Sequence, residues 1–278
     1  MTTQAPSTRR TPPRLPLLRP AMPRRRLAGL RTVAALILRE MATTYGRSPG
    51  GYLWSVLEPV AGIALLTLAF SAFIRSPGLG VNFPLFYATG MMPFMAYQTV
   101  SGRIAQALTF SRPLLAYPVV TCLDAVFARF LLAALTEFMV AFIVFAGILA
   151  VFDTRVIPDY PLILEAMVLA LFLGLGVGTM NCWLMTRFQI WQRVWAVLTR
   201  PLFLVSGIFF LFETVPEPFR GLLWFNPLVH VIGVMRRGFY TGYEALWVSR
   251  LYVLGLSAIL LAVGIMLLRR DWRRLLQL

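Results

Sequence analysis

The segment AMVLALFLGLGVGTMNCWLMT, residues 166–186, is a run of 21 residues without a charged side chain. A helix of about 20 apolar residues crosses the hydrocarbon core of a bilayer, which is about 30 Å thick. The rest of the chain suits the same environment, since 59% of its 278 residues are apolar and 13% are charged. An ordinary soluble domain has about 25% charged residues. The sequence therefore predicts an all-α membrane protein and leaves no room for a separate soluble domain of any size.

Further apolar stretches on both sides of this run predict six transmembrane helices in all. Turn residues, prolines and charges separate them. Within a transmembrane domain that covers residues 52–278, we place the crossings at about residues 53–74, 85–110, 121–151, 162–186, 194–212 and 251–268.

The chain ahead of the first crossing has two parts. Residues 1–26 hold seven arginines and six prolines without a long apolar run, which predicts a disordered basic cytoplasmic tail. Residues 27–51 lead into the first crossing, and their apolar side chains recur every three or four residues from Leu27 to Met41. This pattern predicts an amphipathic helix that lies in the membrane interface rather than crossing it.

All 26 basic residues are arginine, and their distribution predicts the orientation of the chain. Six crossings put both termini on one side, which then carries 19 arginines against six on the other. Because the cytoplasmic segments of membrane proteins are rich in basic residues, both termini are expected in the cytoplasm. Orientation thus explains most of the net charge of +15, and no nucleic-acid partner is expected.

The residue types that several kinds of site require are absent from the sequence. The chain has no lysine, so it cannot form a GxxxxGK[ST] phosphate loop, and any nucleotide that powers it must bind to another polypeptide. His230 is the single histidine, and neither Cys122 nor Cys182 has a neighbour at metal-ligand spacing, so no metal or other cofactor is expected in this chain. Gly174 and Gly178 are expected to form a face for close helix packing.

Ionisable side chains occur inside or at the edge of the predicted crossings. They are Glu58 in the first crossing, Arg103 in the second, and Asp124, Arg129 and Glu137 in the third. Such groups are costly in a membrane and usually line a cavity or pair with one another. Asp124 and Arg129 are about one and a half helical turns apart, so we expect this pair to neutralise each other.

The segment REMATTYGRSPGGYLWSVLEP, residues 39–59, resembles the beginning of ABC-2 class permeases that export polysaccharides. Three further segments agree with the same class in the same order. They are SRPLLAYP at 111–118, GIFFLFETVP at 207–216, and NPLVHVI followed by RRGFYTGY within 226–243. Among the branches of the class, these motifs look most like the capsular-polysaccharide export permeases.

This resemblance implies a transport subunit of the bacterial inner membrane, not an enzyme. Members of the class work as homodimers with two separate ATPase subunits, which would bind the ATP and magnesium. The expected cargo is a lipid-linked, acidic capsular polysaccharide. A periplasmic adaptor or co-polymerase and an outer-membrane export protein are the further partners that the resemblance implies.

The resemblance also assigns roles to particular positions. Two segments match those that dock on the ATPase, and here they contain Arg39, Glu40, Arg112, Pro113, Leu114, Leu115 and Tyr117. The region between the fifth and sixth crossings matches re-entrant helices that close the periplasmic mouth. Its gate residues are expected to be Glu213, Arg220, Trp224, Phe225, Asn226, His230, Arg236, Arg237, Tyr240 and Tyr243.

A conduit for an acidic sugar polymer should offer aromatic faces to sugar rings and arginines to carboxylates or phosphates. Both chemistries occur together at the expected cytoplasmic entrance. We therefore predict a substrate entrance and path formed by Tyr45, Arg47, Tyr52, Trp54, Glu58 and Arg103.

Two other functions remain open at this stage. The same class includes exporters of O-antigen, teichoic acid and small molecules. A membrane-embedded glycosyl or phospho transferase is a third hypothesis, although the sequence lacks a clustered acidic motif for a metal ion.

Overall fold

The computed structural model describes residues 28–44, 50–115 and 121–275 of the chain. These residues form helices, and no strand occurs among them. A single 3₁₀ turn, Phe212–Thr214, lies between α7 and α8. The helices are α1 (Ala28–Thr44), α2 (Gly51–Ser71), α3 (Phe83–Ala105), α4 (Ala107–Leu115), α5 (Cys122–Val151), α6 (Tyr160–Arg187), α7 (Trp191–Val205), α8 (Phe219–Trp224), α9 (Pro227–Phe239) and α10 (Arg250–Leu275).

Four of these helices are long and apolar enough to cross a membrane, namely α2, α5, α6 and α10. Helix α3 has 23 residues, but prolines, glycines and polar side chains lower its hydropathy. Helix α7 has 15 residues, and at 1.5 Å per residue it is about 22 Å long, shorter than the hydrocarbon core. The all-helical fold and four spans are therefore clear from length and composition alone.

Helix α6 is the centre of the bundle, and glycines let its neighbours approach it closely. A Cβ atom added to Gly178 would lie 2.9 Å from the Ser101 carbonyl oxygen of α3, and one on Gly174 would lie 3.1 Å from the Tyr97 carbonyl oxygen. On another face, a Cβ on Gly176 would lie 2.5 Å from the Ser257 carbonyl oxygen of α10. The predicted packing role of the glycine pair is confirmed.

The contacts also give the directions of the helices. Positions along α3, α6 and α10 rise together where they touch, so these three helices are parallel. Helix α5 runs the opposite way, because Arg129 near its start contacts the end of α3, whereas Asn82 before α3 bonds to Asp153 just beyond α5. Phe70 at the end of α2 contacts Tyr87 at the start of α3, so α2 is antiparallel to α3. Trp191 at the start of α7 bonds to Asn181 near the end of α6, and Phe203 at the end of α7 contacts Phe94 in the middle of α3, so α7 is antiparallel to α3 as well.

We call the two ends of the bundle the α1 end and the α9 end. The α1 end holds α1, α4, the starts of α2, α5 and α7, and the last turns of α3, α6 and α10. At the α9 end, α9 packs on α6 and α3. The amide of Asp159, before α6, donates to the Gly238 carbonyl at 2.7 Å, and Phe239 contacts Phe145 at the end of α5.

Two helices pack weakly against the rest of the described chain. Helix α2 has only Pro59 and Ile63 buried, and α7 has no buried residue. Both flank α3 and expose large apolar side chains such as Leu65 and Leu204. This side of the bundle therefore exposes an apolar surface.

Candidate functional site

Arg129 is the central residue of the α1 end. It is 7% exposed, and its Nε lies 3.1 Å from Oε1 of Glu40 on α1. One Nη donates to the Arg103 carbonyl at the end of α3 at 2.8 Å, and the guanidinium lies 4.2 Å from the centre of the Phe110 ring on α4. One side chain thus joins α1, α3, α4 and α5.

The expected pairing of Asp124 with Arg129 is wrong. The Asp124 carboxylate instead accepts from the Thr121 amide at 3.0 Å and from the Thr121 hydroxyl at 2.8 Å, while the Asp124 amide donates back to that hydroxyl. This capping box begins α5. Five residues of α-helix turn about 500°, so the two side chains point about 140° apart around the axis.

Glu137 lies two turns further along α5 and is also buried. Thr99 of α3 and the charges of Arg103 and Glu58 lie near enough to act on its carboxylate. Glu58 is on α2 and exposed, whereas Arg103 is half-buried. Glu58, Arg103 and Glu137, which the sequence analysis placed on separate helices, therefore lie near one another between α2, α3 and α5.

The predicted substrate path is partly described. Trp54 is 70% exposed on α2, and Glu58 follows four residues later on the same face, whereas Tyr52 points elsewhere around the helix. Tyr45 and Arg47 lie outside the described residues.

A groove of about 240 Å³ with a mostly apolar lining opens between α3 and α7 near the α1 end. Gln98 and Ser101 line it from α3, and Gln192 and Thr199 line it from α7. Polar side chains in this position give the weakly packed side of the bundle a hydrogen-bonding surface.

The predicted ATPase-docking residues lie at the α1 end where the structure describes them. Arg39 is exposed on α1, whereas Glu40 faces α5 and is buried. Arg112, Pro113, Leu114 and Leu115 form the last turn of α4, with side chains outside the described part of the structure, as is all of Tyr117.

At the α9 end, the Arg236 side chain is buried, whereas Arg237 is exposed. The Arg236 guanidinium donates to the Phe210 carbonyl at 2.8 Å and to the Ile208 carbonyl at 3.0 Å, and it covers the Phe86 ring at 4.4 Å. Burial lowers the pKa of Arg236 to about 10, so it remains charged at neutral pH. It holds the chain that follows α7 against α9 and the start of α3.

Arg237 reaches the surface beside a cleft of about 400 Å³ that Glu244 and Arg250 also line. Arg250 pairs with Glu165 of α6 at 2.8 Å. Arg237 is therefore accessible to a ligand or partner, whereas its neighbour Arg236 is buried.

Glu213 connects several segments at the α9 end. Its carboxylate accepts from Trp247 Nε1 at 2.6 Å and from the Tyr243 hydroxyl at 3.1 Å. Arg220 donates to the Glu213 carbonyl at 2.9 Å and pairs with Glu217 at 3.1 Å. These contacts tie the 3₁₀ turn and α8 to the chain that follows α9.

Three further predicted gate residues have clear positions. Asn226 begins α9, since its side chain accepts from the Leu228 amide and donates to the Val205 carbonyl at the end of α7. Tyr240 is buried against Gly80, whose backbone has a φ of 70° that favours glycine. Phe225 is exposed at the surface.

His230 is fully buried and joins α9 to the start of α10. Its Nε2 lies 2.8 Å from the Trp224 carbonyl, and its Nδ1 accepts from the Ser249 amide at 3.1 Å. This pair of partners requires the neutral ring with the proton on Nε2. The rings of Trp224, Trp247 and Tyr252 surround it.

We expect acid to destabilise this cluster. Burial lowers the pKa of His230 below its ordinary value of 6.5. Between pH 6.5 and this lower pKa, the unfolded chain binds a proton that the folded chain does not. The neutral His230 ring therefore contributes its full stabilisation above pH 6.5. This contribution is lost as the pH falls toward the pKa that His230 has in the folded chain. Thermal unfolding of the purified protein in detergent, compared between pH 7.5 and pH 5.5, measures the loss.

His230→Gln is the control for this prediction, because it removes the single histidine of the chain. The variant should be less stable at pH 7.5 and should lose the pH-dependent difference. An equal acid-induced loss in the variant and the native protein would contradict the assignment to His230.

Several contact residues were missed by the sequence analysis. Phe110 covers Arg129, while Trp247, Ser249 and Tyr252 complete the Glu213 and His230 clusters. The aromatic residues after Tyr243 were the available signal for Trp247 and Tyr252. No group of three or more metal-ligating side chains occurs within the ranges that the structure describes.

Comparison with known proteins identifies the family of the chain. The family model for ABC-2 type transporters matches residues 31–240. The chain is similar to the polysialic acid transport protein KpsM of Escherichia coli, with 29% identity over 238 residues, which cover 86% of this chain and 92% of that protein.

Two further relatives are named as capsule polysaccharide export inner-membrane proteins. CtrC of Neisseria meningitidis is 26% identical over 86% of this chain and 91% of its own length, and BexB of Haemophilus influenzae is 27% identical over 86% and 90%. The family model covers both the Arg129 contacts and most of the α9 end. The chain therefore belongs to the ABC-2 type transporter family.

Proposed function

We propose that this protein is the membrane permease subunit of an ABC transporter that exports capsular polysaccharide across the bacterial inner membrane. The observation that carries the proposal is the similarity to KpsM, which extends over 92% of that protein and 86% of this chain. CtrC and BexB, which are named for the same process, are similar over comparable lengths. The permease moves its cargo and does not itself catalyse a reaction.

The proposal includes six crossings, with α3 and α7 added to the four apolar spans. The alternating directions of α2, α3, α5, α6, α7 and α10 support this count. The arginine excess places the α1 end and both termini in the cytoplasm. The segment that contains α8 and α9 then re-enters from the periplasmic side, where packing against α3 and α6 satisfies its backbone.

The energy source is a separate ATPase, because the chain has no lysine for a phosphate loop. We place the docking surface on the exposed face of α1, which carries Arg39, and on α4 with the following loop. ATP and magnesium bind to that partner. A second copy of the permease covers the weakly packed side formed by α2 and α7 and encloses the groove between α3 and α7.

Within this dimer the cargo meets groups of suitable chemistry at each stage. Trp54 and Glu58 lie near the cytoplasmic start of α2, and the groove offers amides and hydroxyls to sugars. At the periplasmic side, Arg237 is the exposed cation of the gate and can bind a carboxylate through paired donors. A periplasmic adaptor or co-polymerase and an outer-membrane export protein continue the path.

O-antigen export is the second candidate, because one relative favours it. The O-antigen export system permease RfbA of Myxococcus xanthus is 32% identical over 83 residues, which cover 29% of this chain. The similarity to the capsule proteins covers about three times as much of the chain, so capsule export ranks first.

Deletion of the gene from its native strain tests the function. We expect acidic surface polysaccharide, measured by Alcian blue staining of washed cells, to disappear while polymer accumulates inside the cell. Lipopolysaccharide with a normal O-antigen ladder should remain, and the wild-type gene should restore the surface polymer. Loss of the O-antigen ladder with intact acidic polymer would establish the second candidate instead.

A further inference from the structure

Helix α5 is the element through which both expected ATPase-docking helices contact the bundle. Helix α1 packs against α5, and α4 packs against α5, α6 and α3. Arg129 lies about 10 Å along α5 from its cytoplasmic start, given 1.5 Å per residue. It is therefore one layer inside the docking surface and not on it.

The contacts of Arg129 come from every element that would have to move together. Glu40 on α1 supplies the charge, with both side chains about 8% exposed, and Phe110 on α4 supplies a ring face. The Arg103 carbonyl, on the last turn of α3, accepts a hydrogen bond. A planar guanidinium has donors in fixed directions, so these contacts hold the three helices in one relative geometry.

Arg103, whose carbonyl accepts the hydrogen bond from Arg129, also connects these contacts to the interior of the membrane. The charge of the Arg103 side chain lies near enough to act on Glu137, which is buried on α5. A shift of the last turn of α3 therefore moves the charge of Arg103, which belongs to the predicted substrate path. The line of contacts runs from Glu40 on α1 through Arg129 on α5 to the Arg103 carbonyl on α3.

We infer that the buried Glu40–Arg129 pair is the mechanical link that transmits movement of the ATPase-docking helices α1 and α4 to the conduit helix α3. This inference rests on the proposed function, since it requires an ATPase at the α1 end. Glu40 and Arg129 are positioning residues that act through α3 and touch neither nucleotide nor cargo. Arg39, exposed beside Glu40, remains on the docking surface.

The test separates coupling from folding. Removal of one member of a buried ion pair leaves an uncompensated charge, whereas replacement of both by apolar residues of similar volume is often neutral for stability. Glu40→Leu combined with Arg129→Met is therefore the variant of choice. Asp153→Asn with Arg155→Gln is the control, because it removes an ion pair that is exposed on both sides.

The permease is purified with its ATPase from the native membrane and reconstituted in nanodiscs. ATP hydrolysis is measured on the complex, and surface polymer is measured in cells that carry the same variant. We expect the apolar double variant to retain the ATPase and hydrolyse ATP at the native rate, while polymer export falls about tenfold, a size typical of coupling between sites. The control should match the native protein in all three measurements.

A second readout does not depend on the identity of the cargo. Gly102 of α3 borders the groove and has no atom within 4 Å of an added Cβ, so Gly102→Cys places a thiol there without strain. The native Cys122 and Cys182 are buried and are replaced by alanine to remove background. In the protein that keeps Glu40 and Arg129, we expect ATP to change the rate of maleimide labelling at position 102 severalfold. In the double variant, ATP should leave this rate unchanged.

The outcomes distinguish this inference from the proposed function. Native export and an ATP-dependent labelling change in the double variant would overturn the inference. Loss of the ATPase from the purified complex would also overturn it, because the pair would then serve docking or folding. If deletion of the gene leaves the capsule intact, the cargo proposal fails, but the labelling experiment still tests the link.

Discussion

Replacement of Arg236 by methionine should destabilise the α9 end by about 3 kcal/mol or more, because a hydrogen bond from a charged donor contributes about 1.5–3 kcal/mol and two are lost. The carbonyls of Ile208 and Phe210 would remain buried near the start of α3 without these donors. Methionine fills a similar volume, so the loss is polar rather than steric. We expect little monodisperse protein after detergent extraction and a lower unfolding temperature for the remainder.

Arg237→Met is the matched control, since it makes the same substitution one residue further along the same helix. Arg237 is exposed, and surface substitutions usually change stability by about 0.5 kcal/mol or less. Arg236→Lys should fall between the two, because an ammonium keeps the charge but lacks the fork that reaches both carbonyls. Equal stability of Arg236→Met and Arg237→Met would contradict the structural role of Arg236.

The difference between these two arginines could be read from the sequence only in part. Val229, Ile232 and Phe239 form an apolar stripe at helical spacing, and Arg236 lies on that stripe whereas Arg237 does not. The stripe predicts which arginine faces inward. It does not identify the acceptors, because the carbonyls of Ile208 and Phe210 are brought there by the turn after α7.

Sequence patterns predicted well those features that depend on a single segment. The four apolar spans need only local composition, and the packing face of α6 needs only small residues at a spacing of four. Helices α3 and α7 were also predicted from apolar stretches, but their apolar signal is weaker than that of the four spans. Their polar side chains reflect the groove that they share.

The sequence could not predict contacts between distant segments. Asp124 was the nearest acidic residue to Arg129, but α5 uses it to begin the helix, and Glu40 lies 89 positions before Arg129. Nothing in the spacing of either segment shows that α1 packs against α5. The same limit applies to Glu213, whose partner Trp247 lies 34 positions away.

Gly176→Ala should cost about 3 kcal/mol, at the upper end of the range for overpacking a close-packed interior. The new methyl group would lie 2.5 Å from the Ser257 carbonyl oxygen and 3.2 Å from that residue's Cα. Both atoms belong to the backbone of α10, so no side-chain rotation can relieve the clash. Helices α6 and α10 must separate, and that loosens packing along the centre of the bundle.

Gly255→Ala is the matched control, because it adds the same methyl group to α10 at a position with no atom within 4 Å. Alanine favours a helix over glycine by about 1 kcal/mol, so this variant should be as stable as the native protein or slightly more stable. Thermal unfolding in detergent and the yield of monodisperse protein measure both variants. A native unfolding temperature for Gly176→Ala would show that α6 and α10 do not pack through Gly176, and the parallel arrangement of these two helices would lose one of its supports.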